Sequence, residues 1–187
     1  MKKLLFIVAI FSVGVLSLSA QDDLRFGAKA GLNISSLGGD AAYSYDSKLG
    51  FHLGGVVEIP FNDIITVQPE AFISLQGSGG FFEDDLNFWY LNIPVLAKYN
   101  VWDQIYIEAG PQIGLLLSNN LDGNTYGGTL ETFDATNGLD IGLAIGAGYR
   151  LDENFYFQLR FTAGFINAIE DITSKNRVVS VSAVYFL

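Results

Sequence analysis

Hydrophobic and polar residues alternate along the chain from residue 24 to its end, and the alternation falls into eight segments. A period of two is typical of a β-strand whose two faces meet different surroundings. Each segment has 11 to 15 residues, which is longer than the usual globular strand and long enough to cross a bilayer at a tilt. The predicted strands are 24–35, 49–60, 64–76, 87–100, 104–118, 138–151, 154–166 and 177–187.

The connections between these segments alternate strictly between long and short. The long ones are 36–48, 77–86, 119–137 and 167–176, and the short ones are 61–63, 101–103 and 152–153. Outer-membrane barrels combine short periplasmic turns with long external loops. The pattern therefore predicts an all-β fold, an eight-stranded antiparallel up-and-down transmembrane β-barrel that occupies residues 21–187.

Alternation alone does not say which face is inside, because a soluble secreted barrel of the lipocalin kind would place its apolar face inward. The polar face is rich in glycine, which suits the crowded interior of an eight-stranded barrel. Its charges are also balanced, as expected where buried charges need partners. We predict a luminal charge network of Lys29, Glu58, Glu70, Lys98, Glu108, Arg150 and Arg160.

Aromatic residues of the apolar face cluster at the strand ends. Trp102 lies in a short turn itself. Two aromatic belts around an aliphatic middle match the two interfaces of a bilayer, which favours lipid outside the barrel. The predicted aromatic girdle comprises Phe26, Tyr99, Tyr149, Phe155 and Tyr185 at the short-turn end and Phe51, Trp89 and Phe165 near the long loops.

The N-terminus has the pattern of an export signal. Lys2 and Lys3 precede an apolar run from Leu4 to Leu18, which is followed by small and polar residues. The run is shorter than the ~20 residues of a membrane-spanning helix, so we expect a signal peptide over 1–20 rather than an anchor. Leu18, Ser19 and Ala20 depart from an ideal A-x-A cleavage site, so both Ser19 and Ala20 are candidates for the last residue of the signal.

Charge and composition exclude some partners. The chain carries 10 Lys+Arg and 20 Asp+Glu, and loss of residues 1–20 removes two lysines, which leaves 8 − 20 = −12. A protein this acidic lacks the basic surface that nucleic acids require. The absence of cysteine means that no disulfide stabilises the exported chain.

Three prolines fall inside predicted strands. Pro69, Pro94 and Pro111 have no N–H to donate to a closed sheet, so we expect a β-bulge at each of them.

Those prolines belong to sequence pieces that are similar to a known family. The pieces are FGAKAGLNIS at 26–35, GFHLGGVVEIP at 50–60, VQPEAF at 67–72, WYLNIPVLAKYN at 89–100 and EAGPQIGLLLS at 108–118. Together they resemble the porin-family, PorT-like outer-membrane β-barrel domain of Bacteroidetes, and the resemblance extends over 21–187. It implies an eight-stranded barrel in the cell outer membrane, and it implies little about activity.

Candidate chemistry is sparse. His52 is the single histidine, and a catalytic reading would pair it with a serine and an acid. No G-x-S-x-G or H-E-x-x-H motif accompanies it, and its parity places it in the lumen. We therefore expect no enzymatic activity, no cofactor and no dedicated metal site.

The long loops hold half of all the acids. Glu83, Asp84 and Asp85 form a compact run, which suits either weak divalent-cation binding or a solvated loop. The loop acids are Asp40, Asp46, Glu83, Asp84, Asp85, Asp122, Glu131, Asp134, Glu170 and Asp171.

Two functions are consistent with this sequence. The first is a non-enzymatic structural or surface-interaction protein that contacts outer-membrane lipid and meets envelope partners through loops 36–48, 77–86, 119–137 and 167–176. The second is a small passive or gated pore lined by the luminal charges. An eight-stranded barrel leaves no room for a wide channel, which favours the first.

Overall fold

Eight antiparallel strands close into one barrel in the computed structural model, which describes residues 24–39, 45–80, 86–121, 138–167 and 174–187. Each strand pairs with its neighbours in sequence, and β1 pairs with β8 to close the ring. The predicted fold class is confirmed. The strands are β1 Arg25–Gly39, β2 Tyr45–Pro60, β3 Ile65–Gly80, β4 Leu86–Trp102, β5 Ile105–Leu121, β6 Leu139–Arg150, β7 Phe155–Asn167 and β8 Ser174–Phe186.

The register of the strands sets the tilt of the barrel wall. Followed with constant register from Phe26 across all eight strands, a row of paired residues returns to β1 at Ser36, and 36 − 26 = 10. A stagger of ten residues at about 3.3 Å each, around eight strands about 4.7 Å apart, tilts the strands by about 41°. Rows of paired residues therefore climb toward the long-loop end in the direction from β1 to β8.

The strands extend further toward the long-loop end than the alternation of residues indicates. The predicted loop boundaries were wrong at 36–39, 45–48, 77–80, 86, 119–121, 167 and 174–176, which all lie in strands. The ladder uses backbone groups only, so it continues after the apolar alternation has ended. The rest of each predicted loop, 40–44, 81–85, 122–137 and 168–173, lies outside the described residues, as does the predicted signal peptide.

The prediction of a bulge at each proline was also wrong. At Pro69, Pro94 and Pro111 two consecutive residue pairs drop out of the ladder with the preceding strand, and pairing then resumes in the same register. A missing N–H removes a hydrogen bond but adds no residue, so the register has no reason to shift. The irregularities lie instead between Ser47 and His52, between Trp89 and Tyr90, between Asn100 and Trp102, and between Ala163 and Asn167.

Side chains at the short turns stabilise two of the places where the chain reverses direction. The Asn62 carboxamide oxygen accepts hydrogen bonds from the backbone N–H groups of Ile64 at 3.0 Å and Ile65 at 2.8 Å. The Asp152 carboxylate accepts from the backbone N–H groups of Asn154 and Phe155 at 2.8 and 2.7 Å. These Asx turns satisfy backbone donors that the ladder leaves free, and they allow connections this short.

Burial separates the two faces of the sheet. The outward face exposes large apolar side chains, among them Leu32 at 59%, Leu159 at 55% and Val181 at 58%. The inward face buries polar and charged side chains, together with a small apolar cluster of Val56, Tyr156, Val184 and Phe186. An apolar exterior around a polar interior is the arrangement of a barrel surrounded by lipid. No helix of the described residues is long and apolar enough to cross a membrane.

Candidate functional site

The inward charges form two layers, and the first surrounds Glu58 near the short-turn end. Its carboxylate accepts hydrogen bonds from the Lys98 ammonium at 2.5 Å and from the Arg150 guanidinium at 2.6 Å. Arg25 approaches the same carboxylate at 3.4 Å and is partly exposed. Three strands, β1, β4 and β6, thus each direct one cation at the single Glu58 carboxylate of β2.

The second layer lies deeper and is organised by Arg160. Its guanidinium donates to both oxygens of Glu70, at 2.7 and 2.9 Å, and through Nε to Glu108 at 2.9 Å. Lys29 donates to Glu70 at 2.8 Å, and Gln158 donates to Glu108 at 3.0 Å. The planar fork of arginine suits two carboxylates at once, which a lysine ammonium would not match in geometry.

Gln68 joins the two layers. Its carboxamide oxygen accepts from the Lys98 ammonium at 2.9 Å, and its amide nitrogen donates to Glu70 at 2.6 Å. All seven residues of the predicted charge network therefore lie in one connected set of hydrogen bonds. Buried ion pairs persist where further hydrogen bonds satisfy the remaining oxygens and protons, which is the arrangement found here.

Aromatic rings complete the layer at the short-turn end. The Lys98 ammonium lies 3.5 Å from the centroid of the Tyr156 ring, and Arg150 lies over Tyr156 and Tyr106 at 5.3 and 5.4 Å. Such contacts are strengthened when the cation is desolvated. Gly148 makes them possible, because a Cβ atom at this position would overlap the Tyr156 hydroxyl.

A third polar group, nearer the long loops, places a serine, a histidine and an asparagine in series, as in a catalytic triad. His52 Nε2 lies 2.8 Å from Ser182 Oγ, and His52 Nδ1 lies 3.3 Å from Asn33 Oδ1. Gly31 leaves room for the ring, since a Cβ there would meet His52 Cε1 at 2.6 Å. His52 and Ser182 are 3% and 2% exposed, so the pair is enclosed by the wall.

The lumen around this group is almost filled. The cavity bounded by His52, Phe72, Gln76, Arg160 and Thr162 has a volume of about 20 Å³. A single water needs about 10–15 Å³ of such volume. The described side chains therefore leave space for one water at this level and none for a larger ligand.

The predicted girdle residues lie on the outward face at two levels. Phe155 and Tyr185 pack edge to face with centroids 5.1 Å apart, and Phe51 and Trp89 do so at 5.7 Å. Trp102, which was predicted to lie in a short turn, is instead the last residue of β4 and is 77% exposed. The two levels are Phe26, Tyr99, Tyr149, Phe155 and Tyr185 at the short-turn end and Phe51, Trp89 and Phe165 toward the long loops.

Sequence reasoning missed four uncharged members of the lumen and one arginine. Gln68, Gln158 and Arg25 bind the charged groups directly, and Asn33 and Ser182 hold the histidine. All five share the parity of the predicted charges, so the alternation contained the signal. Of the ten loop acids, Asp46 falls within β2, and the other nine lie outside the described residues.

The sequence matches a family model described as an outer membrane protein β-barrel domain over residues 19–170. No curated protein is found to match the chain.

Solved structures resemble the chain at low sequence identity. Neisserial surface protein A superposes with a TM-score of 0.63 and 10% identity, over 86% of this chain and 96% of that one. The Yersinia pestis outer membrane protein Ail, in a phospholipid bilayer nanodisc, gives 0.53 and 15% identity, over 87% and 99%. Ail in complex with the heparin analogue sucrose octasulfate gives 0.51 and 16%, over 88% and 99%. These likenesses show a shared fold.

Proposed function

The chain belongs to the outer membrane protein β-barrel domain family, and from that premise we propose that it is a non-enzymatic surface-interaction protein of the outer membrane. Its barrel serves as a closed support, and its long loops meet partners in the envelope or outside the cell. The export signal over 1–20 and the PorT-like character of the motifs are part of the same proposal.

The observation that carries this proposal is the filled lumen. Arg160 bridges Glu70 and Glu108 across the barrel, and the adjoining cavity holds about 20 Å³. Opening an ion path would require at least one of these pairs to separate, and breaking a buried pair costs about 3–5 kcal/mol. The layer around Glu58 would then still obstruct the short-turn end.

The burial of His52 supports the part of the proposal that the protein is not an enzyme. Ser182, His52 and Asn33 have the order that nucleophilic catalysis uses, but an acyl substrate must reach the serine oxygen. A space for about one water beside a wall of strands gives no such access. We interpret the three residues as a structural hydrogen-bond chain that links β8, β2 and β1.

Planar-bilayer recording tests the closed barrel against the pore. We expect no single-channel events from the full chain over a wide voltage range. The variant Glu58→Ala, Glu70→Ala, Lys98→Ala, Arg160→Ala removes ion pairs from both layers and serves as the control that conductance is detected. Steady unitary events from the unmodified protein would refute the closed barrel and favour the pore.

Loop exchange tests the surface role separately. In one variant residues 122–137 are replaced by a short Gly-Ser linker, and in a matched control residues 168–173 are replaced in the same way. We expect cross-linked partners in intact envelopes to be lost from the first variant. Retention of every partner by both variants would contradict a role for these loops.

A further inference from the structure

The outward face of β8 carries two cationic side chains at its long-loop end. Lys175 and Arg177 are both exposed, and they share this face with Val179, Val181 and Tyr185. Among the outward-facing strand positions whose side chains the structure describes, no other position carries a charged residue. Neither forms an ion pair with another described residue. Two exposed cations on an otherwise apolar wall offer a binding place for an anionic group from outside the chain.

Their level on the wall identifies the layer that would supply this partner. Arg177 lies ten residues from Leu187 along β8. Ten residues at about 3.3 Å, tilted by about 41°, rise about 25 Å, which equals the usual height of the apolar band. Lys175 lies about 5 Å higher by the same reckoning. Both side chains therefore reach the headgroup zone of the outer leaflet, and long cationic side chains extend readily into it.

A groove in the wall runs up to the same place. It has a volume of about 550 Å³ and is lined by Ala109, Ile145, Ala147, Leu159, Phe161 and Val179. Ala109 pairs with Ile145, Ile145 with Phe161, and Phe161 with Val179, so the groove follows one row of the sheet. Because rows climb from β5 to β8, the groove ends at Val179, two residues below Arg177.

The edge of the sheet beside the cations is reshaped by a bulge. Pairing shifts between Ala163 and Asn167, so β7 carries a bulge opposite Lys175. Phe165, inside this bulge, is 58% exposed. Bulges of this kind redirect side chains at barrel rims.

We propose that Lys175 and Arg177 bind the phosphate groups of a lipopolysaccharide molecule whose acyl chain lies in the groove below them. The outer leaflet presents such phosphates at the level of these cations. Arginine and lysine are the usual partners of phosphate, and basic residues beside a membrane attract anionic headgroups. The site lies on the wall of the barrel, so it does not depend on the loop function proposed above.

Native mass spectrometry of the refolded full chain, titrated with purified lipopolysaccharide, measures this binding. A basic residue at a membrane surface contributes about 1 kcal/mol, which is about fivefold in affinity. We expect Arg177→Gln to weaken binding about fivefold and Lys175→Gln, Arg177→Gln about 25-fold. Arg25→Gln removes one positive charge at the other end of the barrel and should leave binding unchanged. The double variant must first show the gel mobility of the folded barrel before boiling.

Two further ligands in the same titration test the identity of the bound molecule. Lipopolysaccharide freed of phosphate should bind the unmodified chain about as weakly as intact lipopolysaccharide binds the double variant. Phosphatidylglycerol should bind more weakly than lipopolysaccharide. Unchanged binding by the double variant, or equal affinity for phosphatidylglycerol, would overturn the proposal.

The groove has its own matched pair of variants. Ala147→Leu fills the groove, while Ala97→Leu adds the same atoms to the outward face of β4, outside the groove. We expect the first to weaken lipopolysaccharide binding and the second to leave it unchanged. Equal binding by both would show that no acyl chain occupies the groove.

Discussion

Replacing Glu70 by glutamine tests the central charge layer, because the change removes one charge and keeps the size of the side chain. The carboxylate holds Lys29 at 2.8 Å and both arms of the Arg160 fork. Arg160 keeps Glu108 at 2.9 Å after the change, whereas Lys29 loses its ion-pair partner while remaining 1% exposed. An uncompensated buried charge costs about 3–5 kcal/mol, so we expect Glu70→Gln to lose about that much stability.

Urea titration of the folded protein in lipid vesicles, followed by gel mobility before boiling and by tryptophan fluorescence, measures this loss. The double variant Lys29→Met, Glu70→Gln should be more stable than Glu70→Gln alone, because it removes the orphaned cation. Arg25→Gln is the control. It breaks a 3.4 Å contact of a partly exposed side chain and should cost less than about 1 kcal/mol. If the losses of Lys29→Met and Glu70→Gln simply add in the double variant, the two side chains are not energetically coupled.

Three further predictions use the same urea assay. Gly148→Ala should destabilise the barrel by about 1–3 kcal/mol, because its Cβ overlaps the Tyr156 hydroxyl, while Gly55→Ala, whose Cβ would lie 3.7 Å from the Gly27 carbonyl oxygen, should be neutral. Equal effects of the two would contradict the close approach. Tyr156→Phe should leave the stability unchanged, since the Tyr156 hydroxyl has no partner among the described residues. Tyr156→Leu should lower the stability by about 1–2 kcal/mol, because it removes the contact between Lys98 and the ring. A large loss of stability in the phenylalanine variant would show that the hydroxyl matters. His52→Ala should cost about 2 kcal/mol through the lost bonds to Ser182 and Asn33, and an unchanged midpoint would remove its structural role.

The sequence predicts the number of strands, their order and the inward face because one period-two pattern encodes all three. Lys29, Glu70 and Arg160 share a parity with their neighbours, so the pattern places them inside together. Which cation meets which acid depends on register across the ring, and register is a property of strand pairs. Nothing local to Glu58 indicates that Lys98, Arg150 and Arg25 converge on it.

The strand ends and the prolines were predicted less well for a different reason. Hydrophobic alternation reports contact with lipid, so it ends where the apolar band ends, at positions such as Ser35 and Gln76. The backbone ladder continues past them to Gly39 and Gly80. At Pro94 and Pro111 the closed ring keeps its register across a missing N–H donor, and the pattern within one strand does not predict this.

The length of β4 and β5 sets how far the outer face of the protein stands from the cell. Each has 17 residues. At about 3.3 Å per residue and a tilt of about 41° this is about 42 Å of height, about 17 Å more than an apolar band of about 25 Å. This surplus is the height of paired strand that lies outside the apolar band. At the long-loop end β4 and β5 stay paired as far as Leu86 and Leu121, above the headgroup phosphates, so a partner bound to these strand ends would make no contact with lipid.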